Sequence, residues 1–593
     1  MQPSVYQQSV IEWLRNNQDV SDAVVNSVAG SGKSTLLKMC ADVISHENDG
    51  AVSVRDCVVL VFNKKNKEAL VRKLGAKWQY SIYTTHSKGY RILKQYLGFP
   101  QFEVRTLKYR ELAQEIDWFR NDRPRNEIIA QQKIVSLNEF IKLFELIRLT
   151  LCPLNPVSLS DLIEHYSLDI NRLYLDEIIH RVAHLMEAGQ QLAFNSGIID
   201  HTDMLWLSVQ WKINQAPNFS FAKRVFVDEA QDMSNLQLEF VLAIADARSK
   251  MLFVGDPSQS INGFCGADAN SFENIKSRLS AKEFTLPTCY RCPKSHISLI
   301  NRLYPEIPII ANDGAENGTI KVIEDDKLWA TGGENRVEVG DLVVARRTST
   351  LVDTHLELIS RGIPSSLVGS SLCNELIELV REIFWQNEAQ YTKFREFAQQ
   401  YLKTKEAALA KKDNCSTALI HLQDLIKALI SIYAHYSSCY RSCEELCQGI
   451  RALFGTEDNA DTVILSTIHR AKGMEAEKVY ILEPIDLPLL WENQQPWQEQ
   501  QEHNLVYVAL SRSTRSLYLV GDAVWFDHQL ETQPSSSNSK IVKNHEKNAT
   551  PLGSIEAFIS GAQDNELEKI AKLIEHEQGK RIATKFHNEF SKN

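Results

Sequence analysis

A chain of 593 residues is too long for one hydrophobic core and implies about three to five domains or subdomains. Its hydrophobic content of 44% and charged content of 24% are those of a globular protein, and no run of about 18 apolar residues marks a membrane span. The formal net charge of −10 supplies no global basic field, which argues against a passive nucleic-acid binder. The N-terminal MQPSVYQQSV has no basic region followed by an apolar one, so a cytoplasmic location and no membrane partner are expected.

The first informative stretch is VVNSVAGSGKSTLLKMC, Val24 to Cys40, in which strand-like valines lead through a glycine-containing loop into a helical run from Thr35. Gly30 and Gly32 let backbone N–H groups of Ala29, Ser31 and their neighbours curl round a phosphate at a helix N-terminus; Lys33 can reach the β- and γ-phosphates, and the Ser34 hydroxyl can ligate Mg²⁺. The departure is Ser27, which stands where the usual pattern has its first glycine. A chance glycine/serine turn is the bland alternative, and the strand–loop–helix context disfavours it.

Further along, CVVLVFN, KRVFVDEA, KMLFVGD, DLVVARR, DTVILST, KVYILEP and SLYLV read as strands. Their apolar runs are continuous, not alternating, which suits parallel strands covered on both faces, so an α/β fold is expected. Helical stretches interrupt the series at about 100–195 and 373–455, and a polar, turn-rich segment followed by a charged helical one closes the chain. Eleven cysteines are scattered without a disulfide framework, so Cys289 and Cys292 are expected as reduced thiols ahead of a metal site.

The strand RVFVDEAQD ends in Asp228 and Glu229, at the carboxyl end of a parallel strand, where open α/β sheets bind their ligands. In an ATPase Asp228 would hold Mg²⁺ and Glu229 would orient or deprotonate the attacking water. The next strand ends VGDPSQSINGFCGAD, with Gln259 long enough to touch a γ-phosphate and Phe264 five residues beyond it as a ring for stacking bases.

Together these segments resemble a superfamily 1 DNA helicase of the UvrD/Rep type, from about residue 6 to about residue 520. The segments FNK and NLVYVA are nearer the F-box helicase branch of that group, although an F-box ahead of the motor is not expected. The resemblance implies two RecA-like parallel-sheet motor domains, at 1–96 with 196–285 and at 286–372 with 456–528. Mainly helical insertions occupy 97–195 and 373–455, and a linker and charged helical tail occupy 529–593. YQQSVI matches the adenine-reading glutamine motif through Gln7. The phosphate site extends over Ala29, Gly30, Ser31, Gly32, Lys33, Ser34 and Thr35, with Gly473 and Glu475 approaching the nucleotide. LPTCYRCP gives Arg291 and NLVYVALSRS gives Arg512 as γ-phosphate arginines. Phe62, Asn63, Thr84, His86 and Phe264 on one motor domain, with Arg347, Thr348, Thr467, His469 and Lys472 on the other, would face DNA or, for the last group, the domain junction. Two positions depart from the family pattern: Asn262 stands for the usual tyrosine and Cys265 for the usual arginine.

The implied function is ATP-dependent, Mg²⁺-assisted translocation on single-stranded DNA, 3′ to 5′, with unwinding at single/double-strand junctions. Two alternatives remain open: a motor subunit for a separate nuclease or repair partner, and an ATP-dependent clamp with little unwinding. The tail and the short second insertion are candidate protein-docking segments. An RNA substrate is opposed only by the resemblance to DNA enzymes.

Overall fold

The structure is a computed structural model that describes residues 2–526, apart from 17, 47–51, 116–118, 120–133, 264–265, 267–269, 330–334, 385–387, 410–415, 438, 456–460, 493 and 524–525. Phe264, Cys265 and the tail at 529–593 therefore lie outside the described residues.

Two parallel sheets carry the fold. The first contains β1 (Ala23–Ser27), β2 (Cys57–Val61), β3 (Ile82–Thr84), β4 (Ala222–Asp228), β5 (Ala245–Gly255) and β6 (Lys282–Leu286), in the spatial order β3-β2-β4-β5-β1-β6. Val24, Val58, Leu60, Val225, Val227 and Phe253 point into one apolar cluster, and Val25, Val59, Val61, Phe226, Leu252 and Val254 into another. Alternate residues thus enter opposite cores, which is why the strands read as unbroken apolar runs.

The second sheet contains β7 (Thr319–Ile323), β8 (Leu342–Ala345), β9 (Ser365–Val368), β10 (Phe454–Gly455), β11 (Val463–Thr467), β12 (Ala476–Leu482) and β13 (Ser513–Val520), in the order β7-β13-β12-β8-β11-β9-β10. Every strand pair in both sheets is parallel.

The first helical insertion has its own core, in which Phe140, Phe144, Leu159, Ile178 and Val182 pack together. A buried polar group fastens it to the first sheet's helices: Lys108 Nζ donates to Asp203 Oδ2 at 2.6 Å, and Arg148 Nη2 donates to Asp200 Oδ2 at 2.7 Å. The second insertion is built differently. Leu376, Phe394, Leu429 and Leu446 from its helices share one cluster with Val343, Leu367 and Leu465 of the sheet, so these helices are the cover of one sheet face. Asp424 on helix Ser416–Tyr436 accepts the N–H groups of Thr348 and Ser349 at 2.7 and 2.9 Å, satisfying the first turn of helix Thr348–Ser360.

The other face of the second sheet buries Val344, Val479, Ile481 and Leu517 with Leu505, Val506 and Val508. The same cluster takes in Val28 and Ala29 of the phosphate loop and Ile261 from the segment after β5. The two sheets therefore meet at the loop that the sequence singled out.

Candidate functional site

The site lies beyond the carboxyl ends of β1, β4 and β5. Ser27 is fully buried, and its hydroxyl donates to the Gly255 carbonyl at 2.7 Å, tying the start of the loop to the end of β5. Gly30 has φ +66°, and a Cβ there would stand 2.6 Å from Arg291 Cβ, so both conformation and space require glycine. Gln7 is held by a capping box with Ser4, and a Cβ placed on Gly32 would lie 3.4 Å from its Nε2, which puts the glutamine amide beside the loop. The Ser31 hydroxyl is buried and finds no hydrogen-bond partner among the described residues. Thr35 Oγ1 accepts from Lys73 Nζ at 2.9 Å.

Lys33 Nζ donates to Glu229 Oε2 at 2.9 Å. Glu229 occupies the left-handed region, φ 55° and ψ 45°, a conformation costly for a residue with a side chain and common where geometry serves chemistry. Burial and the neighbouring Glu229 charge push Asp228 up to about 7, against the pull of Lys33. Burial would raise Glu229 as well, but Lys33, Lys472 and a hydrogen bond from Gln231 hold it down at about 2. Glu229 is thus held ionised, while at Asp228 burial and the Glu229 charge outweigh Lys33 and Lys73.

The Asp228 carboxylate at the end of β4 and the Ser34 hydroxyl on the first turn of helix Lys33–His46 are oxygen donors of the kind Mg²⁺ takes. Mg²⁺ is typically bound by one or two protein oxygens together with substrate phosphates and water.

Gln231 and Asp256 extend the network. Gln231 Nε2 donates to Glu229 Oε2 at 2.7 Å, and its Oε1 accepts the Asp256 N–H at 3.0 Å. Gln259 Nε2 donates to Asp256 Oδ2 at 2.6 Å. Burial raises Asp256 to about 6 despite Lys33.

The second sheet's side supplies the remaining charges. Arg291 Nε donates to Glu475 Oε2 at 2.5 Å, so two residues that the sequence assigned separately to the nucleotide meet each other. Arg512 is buried, with Nε on the Val508 carbonyl at 2.7 Å and Nη1 on the Met474 carbonyl at 3.3 Å. Burial, then repulsion by Arg291, lowers it to about 10. Gly473 has φ +88° with open space around its Cα. Cys289 and Cys292 flank Arg291, both buried; a hydrogen bond with Cys292 lowers the Cys289 thiol to about 6.

Sequence reasoning missed Tyr507. From helix Pro496–Leu510 its hydroxyl accepts the Ala29 N–H at 2.8 Å and donates to Asp256 Oδ2 at 3.2 Å. The available signal was a phenol inside the otherwise apolar run LVYVAL, where a polar tip needs a partner. Lys73 was also missed; it lies in the last turn of a surface helix with no motif around it.

The expected DNA residues fall on neighbouring strand ends. Phe62 follows β2 and is 47% exposed; Asn63 caps helix Lys64–Leu74, and Thr84 at the end of β3 caps helix Thr85–Leu97. His86 is half-buried, its pKa lowered by burial and by His201. Close by, Lys88, Lys67 and Arg91 surround the Tyr83 ring at 5.1, 5.8 and 6.0 Å, making this rim basic in an acidic protein. On the second sheet Arg347 pairs with Asp486 at 2.7 Å, Thr348 is buried, and Thr467 ends β11. Burial, followed by Arg346, drives half-buried His469 down to about 3. Lys472 Nζ donates to Asp232 Oδ2 and, at 2.6 Å, to the Gln259 carbonyl, so it sits in the junction. Asn262, at that departure from the tyrosine pattern, lies beside Asp232 and works against the burial that raises its carboxyl.

Residues 14–280 match the UvrD/REP helicase N-terminal domain, and residues 462–520 match the UvrD-like helicase C-terminal domain. The chain belongs to the UvrD/Rep-type superfamily 1 helicases. It is similar to the probable DNA helicase of Mycoplasma pneumoniae, 22% identical over 84% of this chain and 80% of that one. It is 23% identical to F-box DNA helicase protein 1 of Schizosaccharomyces pombe over 51% of this chain and 34% of that protein. DNA helicase II of Escherichia coli is 27% identical over 25% of this chain and 19% of its own length. The matched part is thus about a third of the fission-yeast protein and a fifth of the E. coli protein. F-box and bacterial relatives stand at similar identity, and no branch is singled out. The RecA-like sheets named by the resemblance are the two parallel sheets described above. No helix among the described residues is long and apolar enough to cross a membrane.

Proposed function

We propose that the protein is an ATP-dependent DNA helicase and translocase that moves 3′ to 5′ on single strands and separates duplex at junctions. The observation that carries this reading is convergence. Lys33 and Glu229 from the first sheet meet the Arg291 and Arg512 region of the second around a phosphate loop whose Val28 and Ala29 are packed into the second sheet's core. Phosphoryl transfer needs little covalent help from the protein and much positive charge with an oriented water.

In this reading Glu229, held ionised, accepts the proton of the attacking water, and Gln259 orients that water. Lys33 leaves Glu229 to hold the β- and γ-phosphates. Ser34 and Asp228 would hold Mg²⁺, which would supply positive charge for the phosphate oxygens. Arg291 exchanges Glu475 for the γ-phosphate, and Arg512 adds its charge from the second sheet. Because the charges come from both sheets, nucleotide binding and their relative position are linked. The strand-end residues, Phe62 and Thr84 on one sheet and Arg347 and Thr467 on the other, would grip the strand in alternation.

ATP hydrolysis measured with single-stranded DNA, duplex DNA and RNA tests the proposal. We expect the strongest stimulation by single-stranded DNA, and unwinding of 3′-tailed but not 5′-tailed duplexes. Equal rates with and without saturating DNA would overturn the motor reading, and stronger stimulation by RNA would overturn the substrate assignment.

A further inference from the structure

We infer that Tyr507 is a positioning residue for ATP hydrolysis, its hydroxyl linking the second sheet to the group that orients the attacking water; the inference rests on the motor reading above. The phenol is fully buried and its hydroxyl makes two hydrogen bonds, both to the first sheet's side: it accepts from Ala29 N–H at 2.8 Å and donates to Asp256 Oδ2 at 3.2 Å. Burial raises its pKa well above the usual phenol value, so it stays a neutral donor and acceptor.

The same Asp256 oxygen accepts Gln259 Nε2 at 2.6 Å, and the Asp256 N–H reaches Gln231, which holds Glu229. A continuous chain of hydrogen bonds therefore runs from the helix of Tyr507 to both water-orienting groups. The rest of that helix reinforces the register: Asn504 Nδ2 donates to the Ser260 carbonyl at 2.7 Å, and Gln501 donates to the Ile261 carbonyl. Arg512 follows Tyr507 by five residues and is fixed to this helix through the Val508 carbonyl. A shift of the second sheet therefore moves Arg512 and, through the phenol, Asp256 and Gln259. The hydroxyl makes the placement of Gln259 conditional on the placement of Arg512.

Tyr507→Phe removes the hydroxyl and keeps the ring. With single-stranded DNA saturating, we expect kcat for ATP to fall about tenfold, the rate equivalent of one lost buried hydrogen bond, with KM for ATP little changed. Combining it with Gln259→Ala separates positioning from packing. If Tyr507 acts through Gln259, the double variant is no slower than Gln259→Ala alone; fully additive losses would overturn the inference. Wild-type kcat in Tyr507→Phe would overturn it too. Thermal melts accompany each variant, and if the phenylalanine variant does not fold, Asp256→Asn enters the same cycle from the other partner. A wild-type protein without DNA-stimulated hydrolysis would defeat the motor reading itself, an outcome visible before any variant is made.

Discussion

Ser27 shows what a residue can do where a motif expects none. Glycine at that point would forgo the hydrogen bond to the Gly255 carbonyl, whereas the serine hydroxyl is small enough to fit the buried turn and bonds β1 to β5 at 2.7 Å. Glu229 carries the sharpest expectation at this scale. Its ionised state depends on Lys33 and its position on an unusual backbone conformation. Glu229→Gln keeps the shape and loses the proton acceptor, so turnover should fall by roughly 10²–10⁴-fold. Binding of a fluorescent ATP analogue should persist, and steady-state turnover near wild type would remove the residue from its assigned role. Lys33, Asp228, Glu229, Gln259 and Arg291 were legible in the sequence because each belongs to a short motif attached to a strand end. Tyr507 and Lys73 were not, since their partners are hundreds of residues away for the first and on another element for the second.

Among elements, the strands that the sequence revealed were the interior ones. The strands it did not announce, β3, β6, β7, β9 and β10, stand at or next to a sheet edge. KEFTL of β6 shows why: only Leu286 is buried, so the apolar run by which interior strands are recognised does not form. The second insertion was legible as helix but not as the cover of a sheet, because an amphipathic pattern says that a face is buried and not against what. His355 on helix Thr348–Ser360 illustrates the cost of that packing. Its neutral form donates from Nε2 to the Leu453 carbonyl at 3.1 Å and accepts at Nδ1 from the Ser365 hydroxyl at 2.9 Å. Burial lowers its pKa from 6.5 to about 4, a difference of about 3 kcal/mol between its protonation states. The unfolded chain takes up this proton first, so the stabilisation is complete above pH 6.5 and is lost as pH falls toward 4. Urea melts at pH 7 and pH 5 should show that loss for wild type and a smaller one for His355→Gln; equal losses would clear His355 of the effect.

At the scale of the whole molecule, Lys472 is one of the side chains that join the two sheets. The family pattern leaves it between DNA and the junction, whereas here its ammonium meets Asp232 and the Gln259 carbonyl. If the junction is its place during turnover, Lys472→Gln should lower DNA-stimulated kcat and leave the salt dependence of single-strand binding unchanged. A fall of about 0.7 in the slope of log K against log[salt] would instead make it a phosphate contact. The sequence by itself determined the α/β class, the two-sheet organisation, the phosphate loop and the order of motor motifs, because these rest on local patterns: apolar runs, glycine conformations and charged residues at strand ends. Only the tertiary structure decided which charges face one another. Lys33 with Glu229 is set by which strands lie side by side in the first sheet and Arg291 with Glu475 by packing on the second sheet's side, while Lys472 with Asp232 and Tyr507 with Asp256 are set by how the two sheets dock. The physical reason is that charge pairing and desolvation depend on distance in space, while a sequence records distance along the chain.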